Sequence, residues 1–324
     1  MREVLRYFPE AEVARFHNFS RRVQVTLDAP ATALFKLRSI HDVIEIRDEI
    51  QLETWSLEEL QAAIKPENFP ELTEAASFRV TSDRWGNHPF RTMDMQAAVG
   101  SKLLETYTLP VDLDHYAVNI RVDLLGSRGF VGIQHTRQPL SKRGGTRPFY
   151  HKAGLKASVA FAMLELADLK AGQTLLDPMC GGGTILLEAA EKWGDRLRLL
   201  GGEKVKAIAA GAKQNAAELP ITIRSEADGR QVDEYFPERI DRVVCNLPYG
   251  IQSGQSGRLR GLYDQFLMSS SRVMPPESRM VLLTARQDIL RNVILRIKEF
   301  KLIEEVVIES GGLYPHIFVL EKIR

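Results

Sequence analysis

Cysteine is nearly missing from this chain: Cys180 and Cys245 are the two in 324 residues. That excludes a disulfide framework, and both fall in motifs at expected strand ends, so a reducing compartment and hence the cytoplasm are expected. Net charge is missing too. Lys and Arg number 43 against 42 Asp and Glu, so no global field marks a nucleic-acid binder. No apolar run reaches transmembrane length and no N-terminal signal segment is evident, so no membrane partner is expected. His41, His88, His115, His135 and His316 have no cysteine or acid partners at zinc spacing, so no metal is expected. Repeats and low-complexity tails are lacking. Apolar residues are plentiful at 44%, enough for a large core in two or more domains.

Two glycine signatures are also missing. The chain has no GxGxxG at a strand end and no GK[ST], so the dinucleotide fingerprint and the phosphate-cradling loop are poor matches. A Rossmann-like oxidoreductase is disfavoured on the same ground. What stands instead is Asp177-Pro178-Met179-Cys180-Gly181-Gly182-Gly183-Thr184, after a short strand Gln173–Leu176 and before an apolar helix Ile185–Ala190. Strand, glycine turn, helix makes a cofactor site at the carboxyl edge of an α/β sheet. Glycines let a ligand lie against backbone, while an acid ahead of them repels phosphate and suits a cation. That favours the methionine part of S-adenosylmethionine. A tight turn without a ligand is the plain alternative, with Thr184 as a simple helix cap.

The second motif is Cys245-Asn246-Leu247-Pro248-Tyr249-Gly250, at the end of an expected strand Arg242–Cys245. An exocyclic amine is a poor nucleophile because its lone pair is shared with the ring. Its N–H groups become more acidic as it attacks, so two acceptors aimed at them stabilise the change. The Asn246 side-chain oxygen and the Leu247 carbonyl are candidates. Pro248 stiffens the turn and has no N–H to compete, and Tyr249 offers a face for a base. The alternative is a strand ending in an Asx-Pro turn. A rival chemistry, C5 methylation through a cysteine nucleophile, would need Cys245 or Cys180 presented to a base. Glu203, after an expected strand Arg196–Leu200, is a candidate acceptor for ribose hydroxyls, and Asp228, after Ile221–Arg224, for an adenine amino group; both also read as solvated loop acids.

Along the chain, residues 1–65 read as a small α/β unit, with strand character at Arg22–Leu27 and His41–Ile50 and helices at Ala31–Lys36 and Ser56–Ile64. Residues 66–140 read as a second unit, with strands Ser77–Thr81, Ala117–Leu124 and Gly129–Gln134 and a helix Asp94–Tyr107. From 124 to 164 there is no acid, while Arg128, Arg137, Lys142, Arg143, Arg147, Lys152 and Lys156 fall there with Phe149 and Tyr150 interleaved. Such local clusters hold phosphate backbones. Arg137, Lys142, Arg143, Arg147, Tyr150 and Lys152 are therefore the candidate RNA contacts; an ordinary basic linker over 141–156 is the alternative, and His151 reads equally as a contact or as surface. Residues 157–324 read as one α/β domain with helices Ala157–Ala167, Val205–Glu218 and Asp288–Ile297. Its sheet is mostly parallel and is closed by an antiparallel pair Leu302–Ser310 and His316–Glu321.

The Asp177–Thr184 and Asn246–Gly250 motifs resemble those of class I amino-methyltransferases. Together with Ser77-Phe78-Arg79-Val80, Gly132-Ile133-Gln134, Pro139–Arg143 and Gly311–Pro315, they are similar to THUMP-containing RNA guanine-N2 methyltransferases, and within these to the enzymes that make N2-methylguanosine at position 6 of tRNA. The resemblance implies a ferredoxin-like unit, a THUMP domain and a Rossmann-like methyltransferase domain. It implies S-adenosylmethionine as cofactor, S-adenosylhomocysteine as product, and tRNA gripped at its acceptor stem and 3′ end. One chain is expected to suffice. Asp177 and Gly181 to Gly183 match the methionine-side loop, with Met179, Cys180 and Thr184 inside it. Glu203 matches the ribose acid, Asp228 the adenine-side acid, and Asn246 to Tyr249 the catalytic turn. Departures are Glu203 for a more usual Asp, Val205 where a second Asp is common, Leu247 in place of a first proline, and no clear opening strand before Glu3. The same turn serves adenine N6 amines, and a tRNA-binding protein without activity remains a second class of reading.

Overall fold

The computed structural model describes residues 1–16, 22–142, 147–150, 154–250, 256–309 and 312–323. It divides into two compact units, Met1–Leu140 and Ser141–Arg324.

The first unit begins with α1 (Arg2–Tyr7) and an antiparallel hairpin of β1 (Glu12–Arg15) and β2 (Val23–Thr26). Val4, Ala11 and Leu37 form a small core beside it. Ala31–Lys36 is helical as the proline before it predicts, but in 3-10 form. A four-stranded sheet follows, ordered β3 (Ile44–Gln51), β6 (Arg128–Gln134), β5 (Val118–Leu125), β4 (Phe78–Trp85). The strand at 44–51, read from sequence with residues 1–65, is hydrogen-bonded to the one at 128–134. Neighbours β4 and β5 are parallel, so the chain must cross over between them, and α3 (Thr92–Leu104) does so. The helix α2 (Leu57–Ala63) starts at Ser56, whose hydroxyl accepts the Glu59 N–H at 3.1 Å while Glu59 reaches back to the amides of Thr54 and Trp55. Leu60, Ile64, Met95, Val99 and Leu103 pack these helices on Ile50, Val80, Ile120, Val122 and Val131 of the sheet.

The second unit is doubly wound. Its elements are α4 (Ala157–Leu166), β7 (Thr174–Asp177), α5 (Thr184–Trp193), β8 (Arg198–Glu203), α6 (Lys206–Asn215), β9 (Ile221–Ser225), α7 (Val232–Tyr235), β10 (Arg242–Asn246), α8 (Ser256–Val273), β11 (Arg279–Thr284), α9 (Gln287–Ile297), β12 (Phe300–Val307) and β13 (His316–Lys322). The strands line up as β12-β13-β11-β10-β7-β8-β9. All pairings from β11 to β9 are parallel, and β13 and β12 join antiparallel, as the final pair of apolar runs predicts. Strand residues alternate between two cores. Leu176, Val243 and Cys245 face Phe236, Tyr263, Phe266 and Leu290 of the α7–α9 side. Leu175 and Val244 face Phe161, Ile185, Leu186 and Ala209 of the α4–α6 side. Each fully buried large apolar side chain here contributes about 1.5–3 kcal/mol. The strand order reverses between β7 and β10, the place where open α/β sheets leave a crevice. Among the described residues no helix is long and apolar enough to cross a membrane.

Candidate active site

The crevice is a cavity of about 520 Å³, lined on one side by Asp177, Met179, Cys180, Gly181, Gly182 and Thr184 and on the other by Asn246 to Gly250. Neighbouring parallel strands end at its two walls, so both sequence motifs meet at one sheet edge. The volume lies in the range of small-molecule sites.

Asp177 closes β7 and is 2% exposed. Its Oδ1 accepts the Met179 N–H at 3.3 Å. Burial pushes its carboxyl up to about 7, against the Met179 amide and the Cys245 thiol, which both hydrogen-bond to the anion. Glu203 closes β8 and orders the loop from the other side: Oε2 accepts the Gly181 N–H at 3.2 Å and Oε1 that of Val205 at 2.8 Å. Gly181 (φ +53°) and Gly183 (φ +85°) take left-handed backbone that a side chain would strain. Gly183 lies outside the cavity wall and sits at the N-cap of α5. Thr184 therefore caps nothing; its Oγ1 accepts from Arg147 Nη1 at 3.1 Å.

Asn246 is the last residue of β10, and its Oδ1 accepts the Tyr249 hydroxyl at 2.9 Å. A carbonyl oxygen has two lone pairs, so one remains for a substrate N–H. Burial pushes the Tyr249 phenol up to about 12, which keeps it a donor. Leu247 is buried and its N–H donates to the Leu283 carbonyl at 2.9 Å, fixing the turn to β11. The Pro248 carbonyl accepts the hydroxyl of fully buried Tyr263 at 2.8 Å, and that hydroxyl lies 2.8 Å from Thr284 Oγ1.

Several expected residues stand elsewhere. Asp228 is not on the cavity wall: Arg230 and Lys204 engage its carboxylate, at 2.5 and 2.9 Å, and hold it well below the usual carboxylate range. Cys245 is fully buried in the sheet, off the cavity wall, and burial and Asp177 push its thiol up. Cys180 touches the cavity, but burial raises it well above a thiol's ordinary value. Neither is a thiolate presented to a base. Among the candidate RNA contacts, Lys142 and Tyr150 are exposed, Tyr150 by 71%. Arg137 is exposed with its guanidinium 6.0 Å from the Tyr116 ring centre. Arg147 instead turns inward, 3.8 Å from the buried carboxylate of Glu188. Arg143 and Lys152 lie outside the described residues.

Gly154, Leu155, Ile185, Lys204 and Ile208 also line the cavity, and sequence reasoning passed over them. Ile185 and Ile208 look like any apolar helix position. Among the described residues the cavity wall carries two acids, Asp177 and Glu203, and one cation, Lys204, whose ammonium is drawn toward Asp228 outside the wall. Such a wall attracts a positive group, and Met179, Ile185, Ile208 and Leu155 give a flat ring an apolar bed. Among the described residues no cluster of three or more His, Cys, Asp or Glu side chains could hold a metal ion.

A doubly wound sheet with an acid-and-glycine loop facing an Asn-Leu-Pro-Tyr turn at its switch point defines a methyltransferase fold. The chain belongs to the THUMP-containing methyltransferases: residues 144–316 match the RMKL-like methyltransferase domain and residues 56–134 the THUMP domain. Similar proteins include the tRNA (guanine(6)-N2)-methyltransferase of Thermus thermophilus, 37% identical over 89% of this chain and 85% of its own, and that of Archaeoglobus fulgidus, 30% identical over 86% and 77%. The crystal structure of TrmN from Thermus thermophilus superposes with a TM-score of 0.82 at 33% identity, covering 99% of this chain and 95% of that one.

Proposed function

We propose that this chain moves a methyl group from S-adenosylmethionine to the exocyclic N2 amine of a guanosine in tRNA, at position 6 of the acceptor stem, leaving S-adenosylhomocysteine and one amine proton that passes to water. The observation that carries this reading is the meeting of Asp177 and Asn246 on neighbouring strands around one cavity. The curated relatives named for guanine 6 support the base and the position.

The bound cofactor supplies an activated methyl group on a sulfonium. The protein supplies the rest. Asp177 and the Gly181–Gly182 backbone hold the cationic end, Glu203 the ribose, and the apolar bed the adenine. Asn246 Oδ1 and the Leu247 carbonyl accept the amine's two N–H groups, which raises the electron density on nitrogen and grows stronger as attack proceeds. Tyr249, whose hydroxyl donates to Asn246 Oδ1, offers its ring face to the base. The guanine is drawn out of its stack, because an amine inside a duplex cannot reach a buried donor. Lys142, Tyr150 and Arg137 contact the RNA, with the N-terminal and THUMP parts setting which nucleotide arrives. A single chain in the cytoplasm suffices.

The test is to incubate the protein with tRNA and methyl-labelled cofactor, digest to nucleosides and map the label. N2-methylguanosine at position 6 is the expected product. Label in adenosine, or at a guanosine elsewhere, overturns the substrate assignment; no transfer to any RNA overturns the reaction.

A further inference from the structure

Residues 147–150 precede α4 and read from sequence as part of a basic linker turned toward RNA. Arg147 and Phe149 are instead held beside the glycine loop, while Tyr150 stays exposed. Arg147 reaches α5, donating to Thr184 Oγ1 at 3.1 Å and lying 3.8 Å from Glu188. The Phe149 ring lies against Gly211 of α6, where a Cβ would sit 2.3 Å from a ring carbon. One turn further along α6, Asn215 spends its whole amide on this junction. Its Oδ1 accepts the Phe149 N–H at 3.0 Å, and its Nδ2 donates to the Phe149 carbonyl at 3.0 Å and to the Gly182 carbonyl at 2.9 Å.

That last bond enters the cavity wall. The Gly182–Gly183 peptide is held at both ends, its carbonyl by Asn215 and its N–H by the Cys180 carbonyl at 2.8 Å. Downstream on the same stretch of chain, Gly154 and Leu155 line the cavity directly. Glycine backbone has many conformations open to it, so a loop of three glycines keeps one shape only where something outside it fixes a peptide plane.

We propose that residues 147–150 brace the cofactor cavity from behind the glycine loop, and that Asn215 is the positioning residue that couples their order to the shape of that loop. Filling the cavity then tightens residues 147–150, and by reciprocity their order tightens the cofactor. The inference rests on the reading that the cavity takes S-adenosylmethionine, whose product S-adenosylhomocysteine serves as the probe.

The experiment uses the full chain, calorimetry with S-adenosylhomocysteine, and hydrogen exchange at the Phe149 amide. Asn215→Ala removes the bonds. Gly211→Ala displaces the Phe149 ring with no polar group lost, and alanine is a better helix former than glycine, so α6 itself is not weakened. Both variants are expected to bind the probe at least tenfold more weakly while unfolding cooperatively. In the wild type the probe is expected to slow Phe149 exchange at least tenfold more than it slows amides of the β12–β13 pair, which report global stabilisation alone, a change that a purely structural clamp would not show. Binding within twofold of wild type in both variants, or wild-type Phe149 exchange slowed no more than that of the β12–β13 pair, overturns the inference. A wild type that binds no probe at all is a different result: it overturns the cofactor reading, and this inference falls with it.

Discussion

The two walls of the cavity are built by opposite means. On the glycine-loop side carboxylates order the backbone: Asp177 takes the Met179 amide, and Glu203 those of Gly181 and Val205. On the turn side the ordering groups are neutral hydroxyls, Tyr249 on Asn246 and Tyr263 on Pro248, with Thr284 behind. Charge is gathered where a cationic donor is proposed to sit and withheld where a neutral amine is. In the proposed reaction the walls divide the work: one would hold the donor, and the other would reward the acceptor only as it reacts. Substitutions on the first are expected to change affinity, and on the second turnover.

The sharpest way to break that division is Asn246→Ala. Losing one preorganised acceptor costs about 3–4 kcal/mol of transition-state stabilisation, a fall of roughly 10²–10³-fold in single-turnover methylation. S-adenosylhomocysteine affinity by calorimetry is expected to stay within about twofold, because the donor wall is untouched. A parallel loss of affinity would mean that the walls are not separable.

The donor wall is expected to announce itself in pH. Burial sets the Asp177 carboxyl near 7, so at pH 6 most of it is protonated and must ionise to meet a cation. Affinity for S-adenosylmethionine then strengthens with rising pH and levels above 7; moving from pH 8 to pH 6 weakens it about tenfold. Asp177→Asn flattens the profile at its weak end. Stability of the ligand-free protein runs the other way. The folded value lies above the ordinary 3.8, so this group's contribution is complete below about 4 and is lost as pH rises through 7. Binding and unfolding titrations on the same two proteins check both signs.

The same contrast explains what could be read without coordinates. The strand, loop and helix at the cavity were legible because their pattern is local: an acid, three glycines and a strand-to-helix switch lie within Leu175–Ile185. The Asn246–Gly250 turn at the end of its strand was legible for the same reason. Their supports were not, because they arrive from far along the chain. Tyr263 sits in a helical spacing with Leu259, Phe266 and Leu267, so it reads as a core aromatic, and only the fold brings its hydroxyl to Pro248. Its helix, Ser256–Val273, was itself not among the expected elements: Gly257, Gly261 and the serines at 269–271 dilute an otherwise regular apolar stripe. Asp228 shows the converse. Its position after β9 is where an adenine-side acid belongs, yet Arg230 two residues on claims it, a local pairing that composition alone did not weigh. The inward turn of Arg147 was not legible for a similar reason, since a basic run does not reveal which member a buried glutamate will take.

Tyr263→Phe sharpens the comparison from the turn side at smaller scale. It keeps the ring and its packing and deletes one hydroxyl, leaving the Pro248 carbonyl and Thr284 short of a partner. The lost bonds cost about 1–2 kcal/mol of folding stability. A looser turn is expected to lower kcat about fivefold while both KM values hold, and steady-state kinetics with each substrate varied read that split. A rise in KM for the cofactor would place Tyr263 with the donor wall instead.

The smallest effect belongs to Asp228→Asn, and it tests where the donor wall ends. If that carboxylate received the adenine amino group, its loss would weaken cofactor binding tenfold or more, since a buried polar contact left unpaired is costly. Here Arg230 and Lys204 already engage it, and it stands off the cavity wall. S-adenosylhomocysteine affinity is therefore expected to change by less than about threefold. Folding stability should fall by no more than about 1 kcal/mol, because both cations are largely solvated once released. Since Arg230 first and Lys204 second favour the ionised form and hold the carboxyl below its ordinary range, its share of the stability is present at neutral pH and fades as the solution is acidified through the ordinary carboxylate range and below. A tenfold loss of affinity measured at neutral pH would move Asp228 onto the donor wall and extend that wall's charge along β9.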